Sequence, residues 1–267
     1  MSRSLVRLII LLSVLSISLI GPAGSAEPTL NEIALEQLKF IEVDEDGFTF
    51  VVWGDSRDDL GRFDDVIAKI NEIDPAFSIG LGDYISNGTR AEYDAFVPRI
   101  AALNQPLISV PGNHDFAGNG EQLWNEIFGK TNFAFDFGGV RFVCTDNADY
   151  VLCDYNLTFL RENLGTDMPR MVFMHCPPDY DRWSVHCFKR GSDELLDILA
   201  EYEVDYAFFA HIHLYDELMI GSTRAIVTGG AGAPLYKDYY FGGINIHVVK
   251  VTVTPGRISH EYVPVYD

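Results

Sequence analysis

Phe48-Thr-Phe-Val-Val-Trp53 is a mostly apolar run that is followed at once by Gly54-Asp55. A short run of this kind, bounded by a turn signal, is typical of a buried β-strand. The same pattern recurs at residues 76–81, before Gly82-Asp83, and at residues 106–110. Each run therefore predicts a strand whose carboxyl end is followed by a polar side chain.

Helical patterns separate these strands. Residues 59–73 carry apolar side chains at helical spacing, and residues 89–103 predict a second helix. This alternation predicts an α/β fold with a parallel sheet and right-handed crossovers. The other predicted elements are two strands within residues 133–145, a helix at 154–164, a strand at 171–174, a helix at 192–202, a strand at 206–210, and several strands from 218 onward.

The residues that follow the predicted strands share one chemical property: each can bind a metal ion. In open α/β sheets, sites form at the carboxyl ends of strands, so these side chains are expected to converge. Carboxylates, an amide oxygen and imidazoles suit zinc, manganese or iron, and a carboxylate can bridge two such ions. The candidate ligands are Asp55, Asp83, Asn113, His175, His211 and His213.

These residues stand in motifs that resemble the five ordered blocks of the calcineurin-like metallophosphoesterases. The blocks are Gly54-Asp55, Gly82-Asp83, Gly112-Asn113-His114-Asp115, His175 and His211-Ile212-His213. One Gly-Asp pair has no diagnostic value, whereas all five blocks in order are highly specific. The resemblance implies a four-layer α/β/β/α sandwich of two mixed sheets flanked by helices, with the metal site at the strand carboxyl ends.

The resemblance also implies a role for each residue. Two divalent or trivalent transition-metal ions (Mn, Fe or Zn) would be bound, with Asp83 as the bridge. Asp55 and His213 would complete the first site. The second site would be completed by Asn113, His175 and His211.

His114 would face the substrate as general acid or transition-state stabiliser, and Asp115 would orient it, as carboxylates behind imidazoles often do. The implied reaction is direct in-line attack on phosphorus by a metal-activated water. The alternative is that Asp83 and Asn113 are ordinary turn residues and the histidines are hydrogen-bonded polar groups of the core; for any one residue this alternative would be preferred, but the complete ordered set favours the metal site.

The first block departs from the family pattern. It usually reads Asp-x-His, whereas this chain has Asp55-Ser56-Arg57, and an always-protonated arginine cannot bind a metal ion. The tyrosine that purple acid phosphatases use three residues after the bridging aspartate is replaced here by Ser86. Several outcomes follow: a weaker first site with extra water, an empty first site, an Arg57 that binds substrate phosphate, or an ion pair between Arg57 and a nearby carboxylate such as Asp58.

The amino terminus predicts export. Arg3 and Arg7 precede an apolar run at residues 8–20, and small residues follow up to Ala26. This order is typical of a signal peptide cleaved after Ala26; the alternative is an uncleaved anchor, for which the run is short. We therefore predict a signal peptide at residues 1–26 and a single metallophosphoesterase domain at 27–267, located outside the cell, in a periplasm or on the cell surface.

Charge and cysteine content restrict the partners and the chemistry. The formal net charge of −20 disfavours long nucleic acids and anionic membranes, while metal ions still allow a small phosphorylated substrate. No membrane span is predicted beyond the signal, and the sequence carries no signal for the oligomeric state. Export permits disulfides, for which short loops favour Cys144–Cys153 and Cys176–Cys187; the alternative is four free thiols.

Two further segments have two interpretations each. The loop at residues 177–190 is rich in aromatic and charged residues and either borders the site, where it could stack a base, or is a surface loop. The glycine-rich residues 229–234 either approach the site or form a turn, and His247 alternates within a strand as a structural residue.

Two classes of function follow from these observations. The first is a metal-dependent hydrolase of phosphomonoesters or phosphodiesters, in which Arg57 acts on the substrate beside His114. The second, suggested by Arg57, is a metal-binding but catalytically silent exported protein.

Overall fold

The computed structural model describes residues 27–239 and 241–266. The predicted signal peptide at residues 1–26 lies outside the described residues, so export stays a prediction. Within the described ranges, the helices are all too short or too polar to cross a membrane.

The described chain contains six α-helices and eleven β-strands. The helices are α1 (Leu30–Leu38), α2 (Leu60–Ile73), α3 (Arg90–Ile100), α4 (Gly120–Ile127), α5 (Asp154–Leu164) and α6 (Ser192–Glu201). The strands are β1 (Phe48–Trp53), β2 (Phe77–Gly80), β3 (Leu107–Ser109), β4 (Phe133–Phe137), β5 (Val140–Cys144), β6 (Arg170–Phe173), β7 (Tyr206–Phe209), β8 (Tyr215–Ile220), β9 (Thr223–Thr228), β10 (His247–Thr254) and β11 (Arg257–Pro264).

These strands form two mixed sheets. The first has the order β11-β10-β1-β2-β3, with β1, β2 and β3 parallel. The second has the order β4-β5-β6-β7-β9-β8, with β5, β6, β7 and β9 parallel. The other strands pair antiparallel with their neighbours, namely β10 and β11 in the first sheet and β4 and β8 in the second. The predicted fold class of two mixed sheets is confirmed.

Aromatic side chains fill the space between the two sheets. The Phe50 ring stacks on Phe77 with centroids 5.2 Å apart, and it meets the ring edges of Phe142 and Phe173 from the other sheet at 5.4 and 6.3 Å. Aromatic pairs in these geometries stabilise a core beyond the area that they bury. The sheets are therefore held face to face by rings contributed from both.

Helices cover the outer faces of the sheets. One apolar cluster joins β1 and β10 to α2, α3 and α4, and another joins β6, β7 and β9 to α5 and α6. The result is the four-layer α/β/β/α arrangement. Helix α4 was not predicted, because its eight residues are shorter than the window over which apolar periodicity distinguishes a helix from a loop.

The cysteine pairing predicted from the sequence is wrong, since all four cysteines are free thiols. Cys144 belongs to the core between the sheets, whereas the Cys153 thiol donates to the Asn156 side chain at the start of α5, at 2.8 Å. Cys176 is buried in the outer core of the second sheet, and the Cys187 thiol donates to the Ser184 carbonyl at 3.4 Å. The two cysteines of each predicted pair therefore lie in different packing environments.

Candidate metal centre

The carboxyl ends of five strands from both sheets meet at one cleft of about 300 Å³. Asp55 follows β1 and is fully buried beneath the cleft, as is His175 after β6. The two sheets are tied there by backbone hydrogen bonds, such as the one from Ala231 N, after β9, to the Gly54 carbonyl, after β1, at 3.0 Å. The cleft is lined by Arg57, Asp83, Asn113, His114, Tyr150, Val185, His186, Cys187, His211, His213 and Tyr236.

The predicted ligands of the second ion lie together. The Nε2 atom of His175 is 3.1 Å from Asn113 Oδ1 and 3.4 Å from Asp83 Oδ1. The His211 ring lies 5.2 Å from the His175 ring. Burial, reinforced by the charge of His175, lowers the pKa of His211 to about 3. His211 is therefore a neutral imidazole at physiological pH, which is the form that binds metal ions.

The predicted ligands of the first ion also converge. Donor atoms of Asp55, Asp83 and His213 lie within 4.8 Å of one another. Asp55 Oδ2 accepts a hydrogen bond from His211 N at 2.8 Å, whereas Asp55 Oδ1 is buried without a hydrogen-bond partner, 3.4 Å from His213 Nε2. A buried carboxylate oxygen without a partner is costly, and a bound cation would satisfy it. The residues present thus fit a metal ion.

The backbone around these ligands is strained. Asp55, Asp83 and His211 have φ angles of 59°, 55° and 66°, in the left-handed region that non-glycine residues seldom adopt. Such conformations cost about 1–3 kcal/mol each and cluster at functional sites. Close packing adds a second constraint, because a Cβ on Gly112 would lie 2.3 Å from Asp83 Oδ1 and one on Gly229 would lie 2.6 Å from Asp55 Oδ2.

His114 is oriented by a backbone carbonyl. Its Nδ1 lies 2.8 Å from the Ser86 carbonyl oxygen, which directs Nε2 towards Asp83 Oδ2 at 4.0 Å, and its side chain is 33% exposed. The loop that carries this carbonyl is fixed by Glu92 at the start of α3, whose carboxylate accepts from the backbone N–H groups of Ser86 and Asn87 at 3.3 Å.

Asp115 does not have the predicted role. Its buried carboxylate accepts from the backbone N–H groups of Gly112, Asp83 and Tyr84 at 2.8, 2.7 and 3.0 Å, and these three donors take up both of its oxygens. Asp115 therefore joins the loops after β2 and β3, while the orientation of His114 comes from Ser86. Because His114 and Asp115 are adjacent in the motif, the sequence suggested that their side chains interact. In the fold, the two side chains have different hydrogen-bond partners.

Arg57 lies beside the carboxylate that is expected to bridge the ions. Its Nε is 3.5 Å from Asp83 Oδ2, and its Nη1 donates to Asp58. Asp58 also accepts from the Ser86 hydroxyl, so it holds Arg57 against the loop that orients His114. The expected ion pair with Asp58 is present, and the 15% exposed side chain also lines the cleft, where a phosphate group could reach it.

The two flanking segments approach the cleft in different ways. In the loop at residues 177–190, Val185, His186 and Cys187 line the cleft, whereas Arg182 is not among the lining residues and donates to Asp216 at 2.7 Å. The glycine-rich residues 229–234 bind the site backbone, with Ala233 N donating to the Asp55 carbonyl at 2.9 Å and the Pro234 carbonyl bound to His213 Nδ1 at 2.7 Å.

Two cleft residues were not expected from the sequence. Tyr236 stacks on the His213 ring with centroids 4.6 Å apart, and Tyr150 meets the His211 ring edge-on at 5.3 Å. Both stand in loops without periodic patterns, so nothing local in the sequence distinguishes them from surface tyrosines. His247 is a buried structural residue, as predicted, with Nε2 3.1 Å from the Thr228 hydroxyl.

Comparison with known proteins identifies related sequences. A sequence model of the calcineurin-like phosphoesterase family matches residues 48–215. A probable glycerophosphodiester phosphodiesterase from Arcobacter nitrofigilis is 28% identical over 55% of this chain and 60% of its own. A cyclic AMP phosphodiesterase from Haemophilus influenzae is 26% identical over 57% of this chain and 60% of its own. The chain thus spans less than two thirds of these relatives' length.

Solved structures share the fold at low sequence identity. A purple acid phosphatase from yellow lupin seeds superposes with a TM-score of 0.67 at 18% identity, covering 82% of this chain and 52% of that one. A dimetal phosphatase from Danio rerio has a TM-score of 0.64 at 13% identity, covering 84% of this chain and 98% of that one. At these identities the likeness concerns the fold alone.

Replacing Gly112 by alanine tests the packing of the site. The added Cβ would displace the Asp83 carboxylate, so we expect metal affinity to fall about 10–100-fold, as for other changes in the shell around ligands. Titration calorimetry with manganese gives the affinity. Gly165→Ala is the matched control, because its nearest neighbouring atom would lie 3.9 Å away; equal affinities of the two variants would show that close packing at Gly112 is unimportant.

Proposed function

The chain belongs to the calcineurin-like phosphoesterase family, and we propose that it is a metal-dependent enzyme that hydrolyses phosphomonoesters or phosphodiesters and that it is exported. One observation carries the proposal: the ligand types of two metal sites converge in a cleft that also presents the imidazole of His114. The names of the relatives, which include phosphodiesterases, support the same class of reaction.

The metal ions would be held by two overlapping sets of ligands. Asp83 would bridge them; Asp55 and His213 would hold the first ion, and Asn113, His175 and His211 the second. The unsatisfied Asp55 Oδ1 and the neutral His211 support this assignment. Bound transition-metal ions would supply a water of lowered pKa and neutralise charge on the phosphoryl oxygens.

The protein's own residues would bind the substrate and move protons. His114 is held through Nδ1, so its Nε2 is the nitrogen available to protonate or stabilise the leaving oxygen. Arg57 would contact a phosphoryl oxygen, because its guanidinium lines the cleft beside Asp83. No covalent phosphoenzyme is needed in this scheme.

The two metal sites would differ in affinity. Arg57 brings a positive charge to within 3.5 Å of Asp83 Oδ2 and stands where the family usually has a histidine ligand. A cation at this position repels a second cation and leaves the first ion one ligand short. We propose that the first site binds its ion more weakly than the second.

Export rests on residues 1–26, which we propose are a signal peptide ahead of a single domain at 27–267. The intact mass of the secreted protein tests this directly. We expect the mass of a chain that begins at Glu27. The mass of a chain that still contains residues 1–26 would contradict cleavage.

Turnover by the His114→Ala variant tests the enzymatic proposal. We expect kcat on aryl phosphate mono- or diesters to fall about 100-fold or more, since general acid–base groups contribute this much, while metal content is unchanged. Steady-state assays with manganese, zinc or iron, together with elemental analysis, give both quantities. If the unaltered protein shows no turnover with both sites filled, it is instead a metal-binding but silent protein.

The Arg57→His variant tests the weaker first site. Restoring an imidazole and removing the charge should tighten the second equivalent of metal about tenfold or more, which corresponds to ~1.4 kcal/mol. Stoichiometry and affinities come from calorimetry with manganese. Arg90→His removes the same charge at a surface pair with Glu126 and should leave both affinities unchanged. Equal tightening by both variants would mean that net charge alone sets the affinity.

A further inference from the structure

The mouth of the metal cleft has an aromatic and apolar rim, formed by Tyr150, Val185, His186 and Tyr236. Tyr150 is 41% exposed and Val185 is 71% exposed, on a protein with a formal net charge of −20. Single exposed apolar residues are common, but a group of them around a concave site marks a binding surface. The metal-directed chemistry described above does not use these side chains.

The rim begins directly at the ligand imidazoles. The Tyr150 ring lies 5.3 Å from the His211 ring, edge to face, and Tyr236 stacks on His213. His186 lies 5.2 Å from Tyr236 and 6.1 Å from His211. An aromatic ring in the leaving group of a phosphoester would therefore rest on these side chains.

The backbone that presents Tyr150 is strained and firmly anchored. Tyr150 has a φ angle of 64°, and its N–H donates to the Asn147 carbonyl at 2.9 Å. The Asn147 side chain in turn binds both backbone groups of Cys176, the residue after His175, at 2.8 and 3.0 Å. Strain maintained by such contacts is found where a side chain must be held in a functional position.

The charge and size of the cleft limit the rest of the ligand. Among its lining residues, all of which belong to the described ranges, Arg57 is the one lysine or arginine. A second phosphate would therefore lack a cationic side chain. The volume of about 300 Å³ lies at the small end of ligand pockets.

From these features we infer that the rim binds the planar aromatic part of the leaving group, either the ring of a phenol or the base of a nucleoside, on a substrate with a single phosphoryl group. The inference deepens the proposed function and rests on it. Stacking and edge-to-face contacts favour such a ring, whereas a glycerol or methyl group would leave the rim uncovered. Tyr150 is the main specificity-determining residue, because it stands at the mouth and contacts His211.

Binding of phosphonates, which are not hydrolysed, tests the rim separately from turnover. We expect the manganese-loaded full protein to bind phenylphosphonate about tenfold more tightly than methylphosphonate, as one or two aromatic contacts allow. A 5′-methylenephosphonate of adenosine distinguishes the sources: tighter binding than phenylphosphonate indicates a nucleobase, and weaker binding indicates a phenol. Calorimetry gives all three affinities.

Variants test whether the rim causes the preference for phenylphosphonate. Tyr150→Ala should reduce the phenyl-to-methyl ratio to about 2 or less, and Val185→Ser should also reduce it, while Tyr150→Phe should keep it. Tyr155→Ala is the matched control, because Tyr155 is 67% exposed on α5 and does not line the cleft. The inference is overturned by a ratio near one in the unaltered protein, by a ratio that survives both disruptive variants, or by failure of every phosphonate to bind. If the unaltered protein shows no turnover but still prefers phenylphosphonate to methylphosphonate, only the proposed function is contradicted.

Discussion

Two carboxylates, Asp55 and Asp83, are buried where the strand ends of the two sheets meet, and the surrounding site depends on how their charge is compensated. Ionised carboxylates are costly away from water unless cations or hydrogen-bond donors face them. Burial alone would raise the pKa of Asp83, but the charges of His175 and His114 outweigh it and hold its pKa below the usual value. Asp83 is therefore kept ionised beside these histidines, as metal bridging requires.

One device orients three of the imidazoles. The Nδ1 atoms of His114, His175 and His213 each lie 2.7–2.8 Å from a backbone carbonyl, namely those of Ser86, Leu81 and Pro234. A carbonyl accepts only from a protonated nitrogen, so each Nε2 is free to face Asp55 or Asp83. The loops that supply these carbonyls come from both sheets, which makes the geometry of the site a property of the whole fold.

The site could be predicted from the sequence to the extent that it follows from strand ends. Asp55, Asp83 and the histidines each come directly after a buried apolar run, and parallel strands bring such positions together. The role of Asp115 could not be predicted in this way, because backbone donors from two other loops decide where its carboxylate points. Tyr150 and the free thiols depend likewise on contacts between distant segments, for which neither spacing nor composition is a guide.

Anomalous X-ray diffraction from crystals of the zinc-loaded protein tests the central claim most directly, because it locates the ions themselves. We expect an ion about 2.0–2.2 Å from both His175 Nε2 and a carboxylate oxygen of Asp83, the usual bond lengths for zinc. A second, less occupied peak is expected between Asp55 and His213. Zinc bound elsewhere, with no peak beside Asp83, would contradict the account.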